Sequence, residues 1–98
     1  MVKTIIKCSA SWCSPCRIFK ITFDKASKIE KYKNINFKEI DIEEDDDSET
    51  IVEKYNIKNI PTTLILDEND KLIYKVSGNI SLSDFTEIID DAINKKNG

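Results

Sequence analysis

From Val2 to Cys8 the chain is a short run rich in Val, Ile and Thr, too brief for a core helix, and it predicts a buried strand. The period then changes. Ile18, Phe19, Thr22, Phe23, Ala26 and Ile29 recur at helical spacing with Lys20, Asp24, Lys25 and Lys28 on the opposite side, and Pro15 suits the first turn of the helix they predict. From Asn36 to Ile42 alternation returns and predicts a second strand. The acidic run from Glu43 to Asp47 reads as a solvated loop leading to a helix start, and Ile51, Val52 and Tyr55 mark one short helix. Asn59-Ile60-Pro61 is a turn. The runs from Thr62 to Leu66 and from Leu72 to Val76 are strand-like, and the polar Asp67-Glu68-Asn69-Asp70 between them predicts a hairpin, closed on the far side by Gly78. Ser81 and Asp84 stand at capping-box spacing before Leu82, Phe85, Ile88, Ile89, Ala92 and Ile93, the apolar stripe of a closing helix.

The predicted order is therefore β-α-β-α-β-β-α. A right-handed crossover makes the first two strands parallel and the hairpin must be antiparallel, so the expected fold is α/β, a mixed four-stranded sheet with helices on both faces. With 98 residues, 40% of them hydrophobic, the chain can bury one modest core, and residues 1–98 are expected to form a single domain.

Charge narrows the chemistry. Fifteen basic and 18 acidic residues are mixed along the chain for a net −3, with no basic face, so nucleic acid is not an expected partner. There is no continuous greasy opening and no apolar stretch long enough to span a membrane, which makes the cytoplasm the expected location. In a reducing compartment, paired cysteines are more often catalytic or metal-binding than structural. Histidine is absent, which removes Cys-His and Ser-His nucleophiles and imidazole ligands. Zinc would want four ligands, and only Cys8, Cys13 and Cys16 are available. The run from Glu43 to Asp47 lacks the glycine turn of a calcium loop.

What is left is the Cys13-Ser14-Pro15-Cys16 pair. A cysteine just before a helix start lies near unpaired backbone N–H groups and the positive end of the helix dipole, which favour thiolate over thiol. Lowering a thiol pKa from about 8.5 to about 7 raises the thiolate from about 3% to about half at neutral pH. Two intervening residues place Cys16 within the first turn, close enough to attack a mixed disulfide on Cys13. Cys13 is thus the expected nucleophile and Cys16 the resolving thiol, with Trp12 and Pro15 stiffening the loop and keeping Cys16 covered. Cys8, on the entering strand, reads as a small buried apolar residue.

The segment Ala10-Ser11-Trp12-Cys13-Ser14-Pro15-Cys16 at a strand-to-helix junction, followed by Ile60-Pro61-Thr62 before a later strand, resembles the thioredoxin family. The resemblance covers most of the chain. It implies a cis bond at Pro61 against the cysteines and substrate pairing with the Ile60 main chain. Trp12, Ser14, Pro15 and Thr62 would complete the substrate surface. It further implies protein disulfides as substrates, no bound cofactor beyond the redox-active Cys13-Cys16 disulfide, an NADPH-dependent flavoprotein reductase as electron donor, and a monomer. A noncatalytic protein-binding module of the same fold is the alternative, and a disulfide oxidase or isomerase a more distant one.

Several positions depart from the family pattern. The usual first strand and helix have no counterpart here, so the strand from Asn36 to Ile42 is expected at a sheet edge, where Lys38, Glu39 and Asp41 discourage stray pairing, with dimerisation through that edge as the alternative to a monomer. Ile21 stands where the family has a kinking proline, and Ser14 where glycine is common. Lys7 and Glu39 occupy the places of a buried carboxylate and its lysine neighbour, with the signs exchanged. Glu39 is expected to move the resolving thiol's proton and Lys7 to stabilise a thiolate; alternatively Lys7 reaches solvent and Glu39 is an ordinary surface residue.

Overall fold

Four strands and three α-helices make up a computed structural model that describes residues 1–97. They are β1 (Val2–Ser9), α1 (Ser14–Ser27), β2 (Asn36–Asp41), α2 (Ser48–Lys54), β3 (Thr62–Asp67), β4 (Leu72–Ser77) and α3 (Leu82–Asn97). The sheet order is β2-β1-β3-β4, with β1 parallel to β2 and the other pairs antiparallel. This is the expected mixed sheet, and β2 lies at its edge.

Strands β1 and β3 are central and covered on both faces, which is why apolar residues stand on both sides of each, as Ile5 beside Ile6 and Leu64 beside Ile65. On one face Ile5 and Ile65 meet Phe19, Phe23 and Ala26 of α1 and Phe85, Ile89 and Ala92 of α3. On the other, Ile6, Cys8, Ile40, Leu64 and Leu66 pack with Tyr55, which follows α2, and with Ile51. The first core is knit by aromatic contacts, with Phe19 edge-on to Phe85 at 5.3 Å and Phe23 edge-on to Phe37 at 5.4 Å between centroids. Such pairs add about 0.5–1.5 kcal/mol each beyond area burial.

Three features differ from the pattern-based reading. Ile18 is 57% exposed, so the buried stripe of α1 is narrower than predicted and runs through Cys16, Phe19, Phe23 and Ala26. A 3-10 turn at Glu30–Tyr32, too short to show a period, buries Tyr32 completely. Its hydroxyl donates to Asp90 at 2.6 Å and lies 3.3 Å from the Thr86 carbonyl, and burial, then the Asp90 carboxylate, push the phenol well above its usual pKa. Asp67, read as a turn residue, ends β3 at 2% exposure. Its Oδ1 accepts the backbone N–H of Asn69 and of Lys71, both at 2.9 Å, and so shapes the hairpin turn, where Asp70 takes φ 62°. Ser81 does cap α3, its Oγ accepting the Asp84 N–H at 3.1 Å.

Candidate active site

The end of β1, the start of α1 and the start of β3 meet at one end of the sheet. After Ser9 the chain turns through Ala10, whose carbonyl accepts the Cys13 N–H at 3.1 Å. Cys13 is the N-cap of α1, in extended conformation at φ −89° and ψ 106°, and its sulfur accepts the Cys16 N–H at 3.2 Å. A cysteine therefore stands where Ser, Thr, Asp or Asn normally satisfies a helix's first donors. Cys13 and Cys16 are joined by a disulfide, with Cα atoms 5.2 Å apart. Cys13 at 5% and Cys16 at 2% exposure are both covered in this form, so the anticipated difference in access is slight.

Around them Trp12 is 64% exposed, and Ser14 and Pro15 lie on the surface. Arg17 donates to the Ser11 carbonyl at 2.8 Å and to Ser14 Oγ at 3.1 Å, tying the loop to the first helical turn. Sequence reasoning passed over Arg17, although its spacing of three from Ser14 was visible. It also took Glu43 as merely solvated, whereas the Trp12 indole N–H donates to the Glu43 carboxylate. That loop is held by Asp41, whose Oδ1 accepts the N–H of Glu43 at 2.8 Å and of Glu44 at 3.1 Å.

The Ile60-Pro61 peptide bond is cis. Ile60 and Ile42 pack against Ala10, Cys13 and Cys16, which brings the proline turn to the cysteines. The Pro61 carbonyl accepts the Gly78 N–H at 2.8 Å. Thr62 is 1% exposed and its hydroxyl donates to the Asn59 carbonyl at 2.5 Å, so its side chain braces the turn and does not face outward as a substrate contact would.

Lys7 lies one layer beneath the disulfide, between Glu39 on β2 and Thr63 on β3. It is 2% exposed, forms an ion pair with Glu39, and its Nζ donates to the Cys16 carbonyl at 3.4 Å. The alternative in which Lys7 reaches solvent is thereby overturned. Glu39 is 42% exposed and closes the outer side of a cleft of about 340 Å³ whose walls include Lys7, Cys16 and Asp41. A buried ammonium thus lies within reach of Cys16, with its counter-charge at the solvent boundary.

Cys8 is wholly buried on the α2 face, where desolvation pushes its thiol up to about 11. Among the described residues no group of three or more His, Cys, Asp or Glu is placed to hold a metal ion, and no helix is long and apolar enough to cross a membrane.

Comparison with known proteins agrees with this geometry. A family model described as Thioredoxin matches residues 2–91. The chain is 31% identical over 75 residues to Thioredoxin Asp f 29 of Aspergillus fumigatus, covering 76% of this chain and 66% of that one. It is 34% identical over 74 residues to thioredoxin of Ophiophagus hannah, with coverage of 76% and 65%, and 32% identical over 68 residues to that of Homo sapiens, with coverage of 69% and 60%. The chain thus spans slightly less than two thirds of the length of these relatives. The crystal structure of Malassezia sympodialis thioredoxin (Mala s 13) superposes with a TM-score of 0.78 at 25% identity, covering 91% of this chain and 73% of that one. A solved malarial protein shares the fold, with a TM-score of 0.75 at 23% identity and coverage of 91% and 94%. With a cysteine pair at a helix cap, a cis-proline turn packed beside it and a family match over nearly its whole length, the chain belongs to the thioredoxin family.

Proposed function

We propose that this protein is a thiol-disulfide oxidoreductase that reduces protein disulfides by cycling Cys13 and Cys16 between dithiol and disulfide. The observation that carries the reading is the Cys13 sulfur at the N-cap of α1, receiving the Cys16 N–H and already bonded to Cys16. In the reduced state that N–H and the helix dipole favour the Cys13 thiolate. The thiolate attacks one sulfur of a substrate disulfide and forms a mixed disulfide, releasing the other sulfur as a thiolate. The Cys16 thiolate then attacks the Cys13 sulfur, expels the second substrate thiolate, and closes the internal disulfide. Two electrons pass to the substrate, whose thiolates take up protons.

Glu39 receives the Cys16 proton across the cleft, which has room for a bridging water, while Lys7 holds Glu39 in reach and stabilises the developing thiolate. An extended substrate segment pairs with the Ile60 main chain beside Pro61 and lies against Trp12, with Ser14 and Pro15 at its margin. The product disulfide is returned to dithiol by a flavoprotein reductase drawing on NADPH, in the cytoplasm. The protein works as a monomer. Antiparallel self-pairing of β2 about a two-fold axis sets a residue against its own copy, and the central registers oppose Lys38 to Lys38 or Glu39 to Glu39.

Turnover of a soluble protein disulfide with a small dithiol as reductant tests the reading, with Cys13→Ser as control. Turnover that the substitution abolishes supports it. A folded wild type without turnover supports a binding module instead.

A further inference from the structure

On the far side of the proline turn, a groove of about 530 Å³ runs between the edge strand β4 and helix α3. Its floor is apolar, built from Val76, Ile80, Ile88 and the ring of Tyr74, all of which keep exposed surface. Its rim is acidic. Asp84, Glu87 and Asp91 stand at i, i+3 and i+7 on α3, so they share one face of the helix above that floor. All three are exposed, and among the described residues no lysine or arginine forms an ion pair with any of them. Asp91 accepts a hydrogen bond from the Tyr74 hydroxyl, and Lys95 stands 4.9 Å over the Tyr74 ring.

The groove is linked to the candidate active site through the chain that follows β4. The Gly78 N–H is bonded to the Pro61 carbonyl, and two residues later Ile80 enters the groove. A chain laid along Ile60 and passing Gly78 therefore arrives at an apolar trough under three carboxylates.

We propose that this groove binds the segment flanking the reactive cysteine of a disulfide substrate, and that it selects a large apolar side chain bracketed by lysine or arginine. The inference rests on the disulfide-reductase reading and adds to it a substrate class. Apolar floor and acidic rim together call for an occupant that is hydrophobic on one side and cationic on the other. A second copy of the chain does not fit this description, because its own groove would bring a like-charged rim.

The test uses peptides joined through a cysteine to a disulfide, carrying Lys-Leu-Lys at increasing separations from that cysteine, each with a Glu-Leu-Glu counterpart. Rates are divided by the same enzyme's rate with a small uncharged disulfide, which reports on the cysteine chemistry alone. At the best separation the basic peptide is expected to have a kcat/KM about fivefold above its acidic counterpart, the size of two or three exposed ion pairs acting together. The preference should shrink in high salt and vanish or invert in D84K/E87K. Equal rates for the two peptides with the small disulfide turned over would overturn the groove and spare the reductase reading. A preference that survives D84K/E87K would overturn the groove as its source. Failure to reduce the small disulfide would overturn both.

Discussion

Replacing Lys7 with methionine removes a buried charge while keeping most of the side chain's volume. The Lys7 ammonium lies 3.4 Å from the Cys16 carbonyl oxygen. Adding the few ångströms between a cysteine's own carbonyl and sulfur puts the charge about 6 Å from the thiolate, worth about 2.5–3 kcal/mol at an effective dielectric of about 20. Glu39 opposes it from a hydrated position at 42% exposure and takes back part of this, leaving about 1–2 kcal/mol in favour of the reduced, ionised pair. Without the lysine, the reduced form is less favoured. The midpoint potential should fall by about 20–40 mV at a pH of about 8.5, where the thiolate is populated. Because Glu39 can be solvated, the loss of its partner should cost only about 1 kcal/mol of stability, so the variant folds. Titration against dithiothreitol mixtures, followed through the single Trp12, reads the potential directly. A potential that stays put or rises would refute the electrostatic role assigned to Lys7.

Other consequences concern stability. Asp67→Ala strands two backbone donors and should cost about 2 kcal/mol by urea unfolding, while Asp67→Asn retains an acceptor and loses less; an alanine variant within about 0.5 kcal/mol of wild type would contradict the turn assignment. Tyr32→Phe keeps the ring and drops the hydroxyl bond to Asp90, for an expected loss of about 1 kcal/mol, and a neutral result would mean that this bond is not net stabilising. The folded chain keeps the Cys8 proton up to about pH 11, whereas the unfolded chain releases it near its ordinary value of 9.0. Stability is then complete below about 9 and falls progressively up to about 11, by about 2–3 kcal/mol from this group. Cys8→Ala should flatten that alkaline slope, and an identical slope in both proteins would show that Cys8 plays no part in it.

Elements with a sustained period were legible in the sequence. The two central strands showed as apolar runs because both their faces are covered, and α3 showed because its cap and stripe agree. Ile18 misled because an apolar residue at helical spacing looks alike whether it faces the core or solvent. Tyr32 was missed because a three-residue turn has no period, and its partner Asp90 is 58 positions away. The cysteine cap and the proline turn were readable from local motifs. The burial of Lys7 was not, since it depends on the register that sets Glu39 on one side and Thr63 on the other. Glu43 gave no pattern, because it acts through one contact from a loop 31 positions away, and Arg17 showed only a spacing of three from Ser14 that many exposed helical pairs share.

The central claim is that one sulfur, at the amino end of α1, captures the substrate. The most direct measurement reduces the protein, exposes it briefly to limiting iodoacetamide at neutral pH, and locates the label by mass spectrometry. The account predicts a single adduct on Cys13, formed faster than on free cysteine, with Cys16 and Cys8 unmodified. Labelling of Cys16 first, or a Cys13 rate no greater than that of free cysteine, would contradict it.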